Sequence, residues 1–302
     1  MMTIKDLVNS KELFVSGHRS CAGCGFPLIV RTVLAAAKKQ VVASVATGCL
    51  EVTSTIYPYT NWNIPLIHSA FENSAATMTG IVHAYNSLKR KGKVKDDAKF
   101  VVFGGDGGTY DIGLQALSGA LERKEDFVYV CYDNEAYMNT GIQRSGATPK
   151  GAYTTTTPAG KLEFRKDLAK IVIAHDINYV ATASPHNFMD LALKAEKAFN
   201  TKGPSVLIVL SPCPLGWGSK TEESIKIAKL AVETNFWPIY EYENKKYTLN
   251  FDSEKRKPVE EFLATQGRFK HLLTPENKTV LDEIQKNIDE RFLELKKLCQ
   301  NK

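Results

Sequence analysis

The sequence predicts an α/β fold in which a mostly parallel sheet carries helices on both faces. Short runs rich in valine and isoleucine alternate with segments of helical periodicity. Strands that are apolar almost throughout are typical of a parallel sheet covered on both sides. The expected strands are residues 40–47, 64–69, 99–105, 127–133, 178–184 and 204–211. The expected helices are residues 26–38, 71–92, 110–124, 161–174, 186–200 and 219–233.

In chain order, an apolar helix that begins near Phe26 leads to the strand QVVASVAT and then to IPLIHS. A long helix follows, and after it come KFVVFGG and FVYVCYD, whose carboxyl ends carry polar motifs. NYVATAS and PSVLIVLS complete the predicted sheet. Each strand is expected to enter its helix through a loop at the carboxyl edge of the sheet, where open α/β folds bind their ligands.

The character of the chain changes near residue 236, after which it is polar and rich in tyrosine and lysine. This stretch lacks the alternation of strands and helices. We therefore expect residues 1–236 to form the α/β domain and residues 237–302 to form a C-terminal arm that packs on partner subunits. A charged helix near 275–299 closes the chain.

The composition argues against nucleic acids and membranes as partners. The net charge is +6, and lysine and arginine are interleaved with acidic residues, which favours an ordinary solvated surface over nucleic-acid binding. The N-terminal residues contain no apolar signal region, and no run of about 18 apolar residues follows. We expect a cytoplasmic protein with no membrane partner, whose six cysteines stay reduced.

The most specific motif is VVFGGDGGTYDIG, in which an apolar strand ends in Gly105-Asp106-Gly107. Glycines let the backbone approach a phosphate, and the helix that follows offers free N–H groups. Asp106 is a suitable ligand for Mg²⁺ that bridges a diphosphate. The next strand ends at Asn134, with 26 residues between Gly107 and this second candidate ligand. The alternative for either motif alone is a turn without a cofactor; the two together favour a metal site.

A second motif, HRSCAGCGFP, contains a CxxC pair, Cys21 and Cys24. Such a pair forms a redox disulfide, half of a zinc site or half of an iron–sulfur site. Cys49 and Cys213 also follow predicted strands, so four thiolates are expected to converge at the edge that carries the GDG turn. The residues alone leave both an iron–sulfur cluster and zinc open. The two remaining cysteines are expected to be a core residue and an exposed residue near the C-terminus, Cys131 and Cys299.

A Gly-Asp-Gly turn followed after about 25–30 residues by asparagine is the thiamine diphosphate signature. With it, the chain resembles the β subunit of 2-oxoacid:ferredoxin oxidoreductases, the pyruvate synthase family. The resemblance extends over nearly the whole chain, through the segments GHRSCAGCG, ATGCLEVTSTIYPYT, FENSAATMTG, GDGGTYDIG, DNEAYMNTG, SPCPLGW and KPVEEFLATQGRFKHL.

The resemblance implies the thiamine-diphosphate-binding fold of the pyrophosphate type, and it assigns roles to residues. Mg²⁺ would be bound by the side chains of Asp106 and Asn134 and by the carbonyl of Ala136. The diphosphate would lie on Gly107, Gly108 and Thr109. Asn139 would reach the reacting end of the cofactor or substrate, as the candidate catalytic residue. The four cysteines implied as ligands of a [4Fe–4S] cluster are Cys21, Cys24, Cys49 and Cys213, and Cys49 is also expected near thiamine diphosphate.

The implied reaction is the coenzyme A-dependent oxidative decarboxylation of a 2-oxoacid, with electrons passed to ferredoxin. Pyruvate, giving acetyl-CoA and CO₂ reversibly, is the first expectation; 2-oxoisovalerate, 2-oxoglutarate and coenzyme A-independent oxalate oxidation are alternatives. The family also needs a pyrimidine-binding domain with its glutamate, and the roughly 65 residues after the predicted sheet are too few and wrongly patterned for one. We therefore expect an α subunit to supply that domain and complete the site. Further γ and δ subunits, one of them ferredoxin-like, would carry electrons outward.

Two other classes of function are open at this point. One is a decarboxylase or transketolase-like enzyme without a cluster, which would not need the four cysteines. The other is an electron-carrying or zinc-stabilised subunit without thiamine chemistry, against which the pairing of the GDG turn with Asn134 argues.

Overall fold

The computed structural model describes residues 2–252 and 256–300 and contains one sheet of eight strands in that part of the chain. The strands are β1 Gln40–Ala46, β2 Leu66–Ser69, β3 Ala98–Gly105, β4 Val128–Asp133, β5 Tyr179–Ala183, β6 Ser205–Leu210, β7 Tyr240–Glu243 and β8 Lys246–Leu249. They lie side by side in the order β2-β1-β3-β4-β6-β5-β7-β8. The first six pair in parallel, so all six predicted strands are confirmed.

Helices cover both faces of this sheet, as predicted. The α-helices are α1 Ile4–Val8, α2 Phe26–Ala36, α3 Cys49–Ser54, α4 Ser74–Arg90, α5 Leu114–Glu122, α6 Leu168–Ile173, α7 Phe188–Asn200, α8 Pro214–Trp217, α9 Ser224–Glu233, α10 Val259–Leu263 and α11 Lys278–Gln300. Helices α2 and α7 pack together on one face, where Val101 and Phe103 of β3 also lie. The neighbouring Phe100 and Val102 point to the other face, beneath α4 and α5. This alternation follows from the two-residue period of a strand. None of the described helices combines the length and apolar character that crossing a membrane requires.

The C-terminal region contains structure that the sequence analysis did not predict. Strands β7 and β8 form a hairpin whose first strand pairs antiparallel with β5 and extends the sheet. Farther along, Phe262 and Phe269 are fully buried in the same core as α4 and α5. The expectation of a segment without strands was wrong because these two strands are only four residues long and rich in charge. The described residues of 237–302 thus pack on the α/β domain; the contact of this segment with partner subunits stays a prediction.

Two of the predicted helices begin at other residues in a way that affects the site. The helix expected at 161–174 begins only at Leu168, after the Asp167 carboxylate caps it by accepting the Lys170 N–H at 3.2 Å. Residues 161–167 are not helical, and they carry side chains into the site described below. The helix expected near Tyr110 begins earlier, as a single π-helical stretch over Gly107–Ile112 that precedes α5. Such π-helical turns are short and often mark functional sites.

Candidate active site

Four adjacent strands bring the predicted site residues to one edge of the sheet. In the order β1-β3-β4-β6, the carboxyl ends of these strands lead to Cys49, Asp106, Asn134 and Cys213. The two oxygen ligands therefore follow the two middle strands, and a cysteine follows the strand on each side. Parallel pairing of β3 with β4 sets Gly105 opposite Tyr132, so the chain leaves both strands at the same level.

The GDG turn is packed closely against the loop that follows β4. A Cβ on Gly107 would lie 2.3 Å from the Tyr137 ring, and one on Gly108 would lie 3.1 Å from the Phe71 carbonyl. Only glycine fits at position 107, because the Tyr137 hydroxyl donates to the Gly107 carbonyl and holds the ring there. The Thr109 hydroxyl points into the core, where it donates to the Gly105 carbonyl at 2.7 Å. For a phosphate, Thr109 thus offers its backbone N–H.

Asp106 is a buried carboxylate that forms no salt bridge among the described residues. Only 1% of it is exposed, and it accepts hydrogen bonds from the Ser145 hydroxyl and the Asn134 N–H. Burial raises the pKa of Asp106 well above its usual value, and the nearby Asp133 carboxylate raises it further. A cation bound here would favour the ionised carboxylate and offset the cost of its burial.

Three oxygen ligands predicted for Mg²⁺ come together around the side chain of Asn134. One terminal atom of its amide lies 2.8 Å from Oδ1 of Asp106 and 2.8 Å from the carbonyl oxygen of Ala136. If that atom is the nitrogen, it donates two hydrogen bonds. If it is the oxygen, its two separations of 2.8 Å are close to those between neighbouring ligands of an octahedral ion, about 2.8–3.0 Å for bonds of 2.0–2.1 Å. The donor set and these two separations are therefore compatible with Mg²⁺.

A network of buried charges supports the loop that carries these ligands. Arg165 pairs with Asp133 and, at 2.8 Å, with Glu135, while Arg268 pairs with the other oxygen of Glu135. With Asp106, the three carboxylates and two guanidinium groups leave one negative charge (3 − 2 = 1) when all are ionised. A divalent cation would more than offset this single negative charge. No pattern in the sequence indicated this network.

The CxxC loop is tied by backbone hydrogen bonds to the segments that carry the other two cysteines. The Gly25 N–H donates to the Pro212 carbonyl at 2.9 Å, and the Arg19 N–H donates to the Thr53 carbonyl at 2.8 Å. Gly23 has φ +73°, and a Cβ there would lie 2.2 Å from the Thr221 carbonyl oxygen, so the turn requires glycine. The predicted convergence of three chain segments is therefore present.

The thiols of these segments lie close enough to affect one another's pKa values. Burial raises the pKa of Cys24, and the three other thiols of the set raise it further. Burial likewise raises the pKa of Cys49 to about 11, with contributions from Cys213 and Cys21 in that direction. Yet nowhere in the described chain do three histidine, cysteine or acidic side chains form a group able to hold a metal ion. Four thiolates around one zinc would lie about 3.8 Å apart, given Zn–S bonds of about 2.3 Å.

The remaining predicted residues are also placed. Asn139 is exposed, and a hydrogen bond between its side chain and Cys49 partly offsets the rise in the pKa of that thiol. Asn139 thus lies beside one of the four cysteines. Cys131 is buried in the core, as predicted. Cys299 was expected to be exposed, but it is half-buried because α11 packs it against the core.

Comparisons with known proteins find similar sequences over most of the chain. The family model described as "Thiamine pyrophosphate enzyme, C-terminal TPP binding domain" matches residues 46–209. Pyruvate synthase subunit PorB of Thermotoga maritima is 50% identical over 309 residues, which cover 97% of this chain and 95% of that protein. Ketoisovalerate oxidoreductase subunit VorB of Pyrococcus furiosus is 46% identical over 297 residues, which cover 96% of this chain and 94% of that protein.

Among solved structures, a similar fold occurs in 2-oxoglutarate:ferredoxin oxidoreductase from Magnetococcus marinus, determined with 2-oxoglutarate, coenzyme A and succinyl-CoA bound. The match has a TM-score of 0.56 and 22% identity, and it covers 76% of this chain and 81% of that chain. At this identity the likeness concerns the fold.

Proposed function

Since this chain belongs to the β-subunit family of the 2-oxoacid:ferredoxin oxidoreductases, the pyruvate synthase type, we propose that it binds thiamine diphosphate with Mg²⁺ and one [4Fe–4S] cluster. In the assembled enzyme it would take part in the oxidative decarboxylation of pyruvate to acetyl-CoA and CO₂. Electrons would leave through the cluster toward ferredoxin.

One observation carries the thiamine diphosphate and magnesium assignment. The Asn134 amide lies 2.8 Å from both the Ala136 carbonyl and the Asp106 carboxylate, and that carboxylate is buried and forms no salt bridge among the described residues. Hard divalent cations prefer this oxygen donor set. The first turn of the helical segment after Asp106 adds backbone N–H groups that have no partner within the helix and suit a phosphate.

The cluster assignment is supported by the convergence of the three chain segments that carry the four cysteines, and by the mutual effect of the thiols on the pKa of Cys24. Cysteine is also the usual ligand of such clusters.

In this reaction the chain's own residues would act mainly by binding and orienting. Thiamine diphosphate, when bound, supplies the carbon nucleophile and the electron sink for the 2-oxoacid. Asp106, Asn134 and Ala136 would hold the metal ion, and the backbone of residues 107–109 would hold the diphosphate. Asn139, an exposed amide beside Cys49, would orient the reacting groups between the two cofactors.

Partner subunits are part of the proposal, because the relatives are named as subunits. We expect an α subunit that brings the pyrimidine-binding domain and its glutamate. We also expect γ and δ subunits, including a ferredoxin-like one that conducts electrons from the cluster to ferredoxin. Coenzyme A would accept the acyl group.

We place pyruvate first among the substrates to test, because the Thermotoga maritima pyruvate synthase subunit is 50% identical and the Pyrococcus furiosus ketoisovalerate subunit 46%, although the pyruvate synthase subunit of the latter organism is 44% identical. The margin of four percentage points keeps 2-oxoisovalerate as the second candidate. Testing should also include 2-oxoglutarate and, without coenzyme A, oxalate.

The test is to produce the assembled complex anaerobically and to follow viologen or ferredoxin reduction with each 2-oxoacid and coenzyme A. We expect reduction that requires thiamine diphosphate, fastest with pyruvate, and about four irons for this chain beyond those of the other subunits. Cys49→Ser should abolish it, while Cys299→Ser, outside the set of four cysteines, should not. Zinc in place of iron, with no reduction by any 2-oxoacid, would contradict the proposal.

A further inference from the structure

We propose that Arg268, contributed by the C-terminal segment, is a positioning residue that holds the loop of the magnesium ligands in its binding conformation. The inference rests on the proposed function, because it assigns Arg268 a task at that metal site. Arg268 does not lie among the proposed ligands; it acts through Glu135 and Trp217.

The first contact, from Arg268 to Glu135, fixes the residue that stands between two of the proposed ligands. Glu135 stands between Asn134 and Ala136 and has φ +70°, a conformation that non-glycine residues rarely adopt. This conformation lets the Asn134 amide and the Ala136 carbonyl face the same point. The Glu135 side chain turns the other way, where Arg268 and Arg165 each bind one of its oxygens. The two guanidinium groups therefore anchor the strained residue from behind the ligands.

The second contact fixes the backbone of Asn134 itself. The Arg268 guanidinium lies over the Trp217 ring, 4.5 Å from its centre. The indole N–H of Trp217 donates to the Asn134 carbonyl at 2.8 Å, so that carbonyl is held away from the metal position. Arg268 thus supports two consecutive residues of the loop, one by an ion pair and one by a stacked ring.

Arg268 is itself held in place on its other side. It is buried, and its Nε and Nη2 donate to the Gln266 carboxamide at 2.9 and 2.7 Å. The Gln266 amide in turn donates to the Phe262 carbonyl at the end of α10. The C-terminal segment is therefore connected by a continuous series of hydrogen bonds to Glu135, the residue between two of the proposed ligands.

The experiment measures metal binding directly in the assembled complex. Mn²⁺ replaces Mg²⁺ as the probe, with thiamine diphosphate at saturation. Electron paramagnetic resonance at room temperature reports free Mn²⁺ by its six-line spectrum, whereas iron–sulfur clusters give no signal there. Arg268→Met should raise the dissociation constant for Mn²⁺ about 10–100-fold, the usual effect of losing support behind a metal ligand. Arg291→Met, an arginine of α11 that pairs with Asp167 at 3.3 Å, should leave it unchanged.

A double variant separates positioning from buried charge. Arg268→Met alone leaves the buried Glu135 carboxylate without one of its partners and should lower thermal stability. Combining it with Glu135→Gln removes both charges of the pair, so thermal stability should return toward that of the wild type while Mn²⁺ affinity stays low. If the double variant regains full affinity, or if folded Arg268→Met binds Mn²⁺ as tightly as the wild type, the inference is wrong. Should Arg268→Met fail to fold, Arg268→Lys keeps the charge without the planar stacking, and unchanged affinity in that variant would overturn the inference. A wild-type complex that binds no Mn²⁺ with thiamine diphosphate would overturn the proposed function itself.

Discussion

Around Asp106 the proposed ligands are buried and held by side chains of this chain, whereas around the CxxC pair the thiols are exposed or half-buried. The oxygen ligands already have the spacing of a bound ion, but the cysteines form no group able to hold one. The difference leads us to expect that one of the two proposed cofactors meets a site already arranged by folding. The other is expected to draw its ligands together when it is inserted, as metal binding is often coupled to folding.

The largest effect is expected from Asp106→Asn. This substitution removes the buried charge that forms no salt bridge among the described residues, so it should weaken Mg²⁺ binding more than 100-fold and abolish turnover. For the same reason the metal-free protein should be at least as stable as wild type, because an uncompensated buried carboxylate costs free energy. Thermal unfolding without metal and Mn²⁺ titration measure the two effects. Asp96→Asn, at an exposed carboxylate, is the control. Metal-free unfolding at a markedly lower temperature would refute the idea of a prearranged site.

The cysteine half is tested by Cys21→Ser, which changes the one exposed thiol of the set. We expect loss of the cluster iron and of electron transfer to ferredoxin, because a cluster with one missing thiolate is poorly held. Binding of Mn²⁺ with thiamine diphosphate should persist, since the oxygen ligands do not depend on the cluster. Iron analysis and Mn²⁺ titration of the same sample compare the halves, with Cys299→Ser as the matched control. Simultaneous loss of both cofactors would show that the halves are not independent.

The region around Asp106 and the region of the four cysteines also differ in how much of each could be predicted from the sequence alone. The GDG turn and the CxxC pair are local patterns, and apolar strands place the cysteines and Asp106 at one edge. Arg268 and Glu135, in contrast, are 133 residues apart, and Arg165 and Glu135 are 30 apart. A single sequence does not indicate which arginine meets which carboxylate, because that depends on tertiary packing. The hairpin that carries β7 and β8 was missed for a related reason: four-residue polar strands gain their stability from the neighbouring β5.

Lys161, which is buried near the loop of the proposed magnesium ligands, is expected to make the free energy of unfolding depend on pH. This side chain donates to the Thr148 carbonyl at 2.7 Å, and the Thr148 hydroxyl donates to the Glu135 carbonyl at 2.7 Å. Burial lowers the pKa of Lys161 to about 8 from its usual 10.5. Between these values the unfolded chain binds more protons, so stability should rise with pH relative to a Lys161→Met variant. From pH 7 to pH 9.5 the gain is about 2 kcal/mol at 1.36 kcal/mol per pKa unit.

Denaturant unfolding of both proteins at the two pH values measures this difference, and the subtraction removes the contribution of groups that both proteins share. A difference independent of pH would mean that Lys161 titrates normally and that this part of the loop is open to water.

The smallest effect on turnover is expected from Asn139→Ala, beside the cysteine Cys49. Asn139 is exposed and contacts Cys49, so Asn139→Ala should leave the fold, the iron content and Mn²⁺ binding unchanged. Loss of one orienting amide should lower kcat about tenfold, which corresponds to about 1.4 kcal/mol of transition-state stabilisation. Asn63→Ala, at an exposed asparagine on the opposite edge of the sheet, should leave kcat as in wild type. If Asn139→Ala instead lowers iron content, the residue supports the cluster through Cys49 rather than the reacting groups, because only the cysteine half would then have responded.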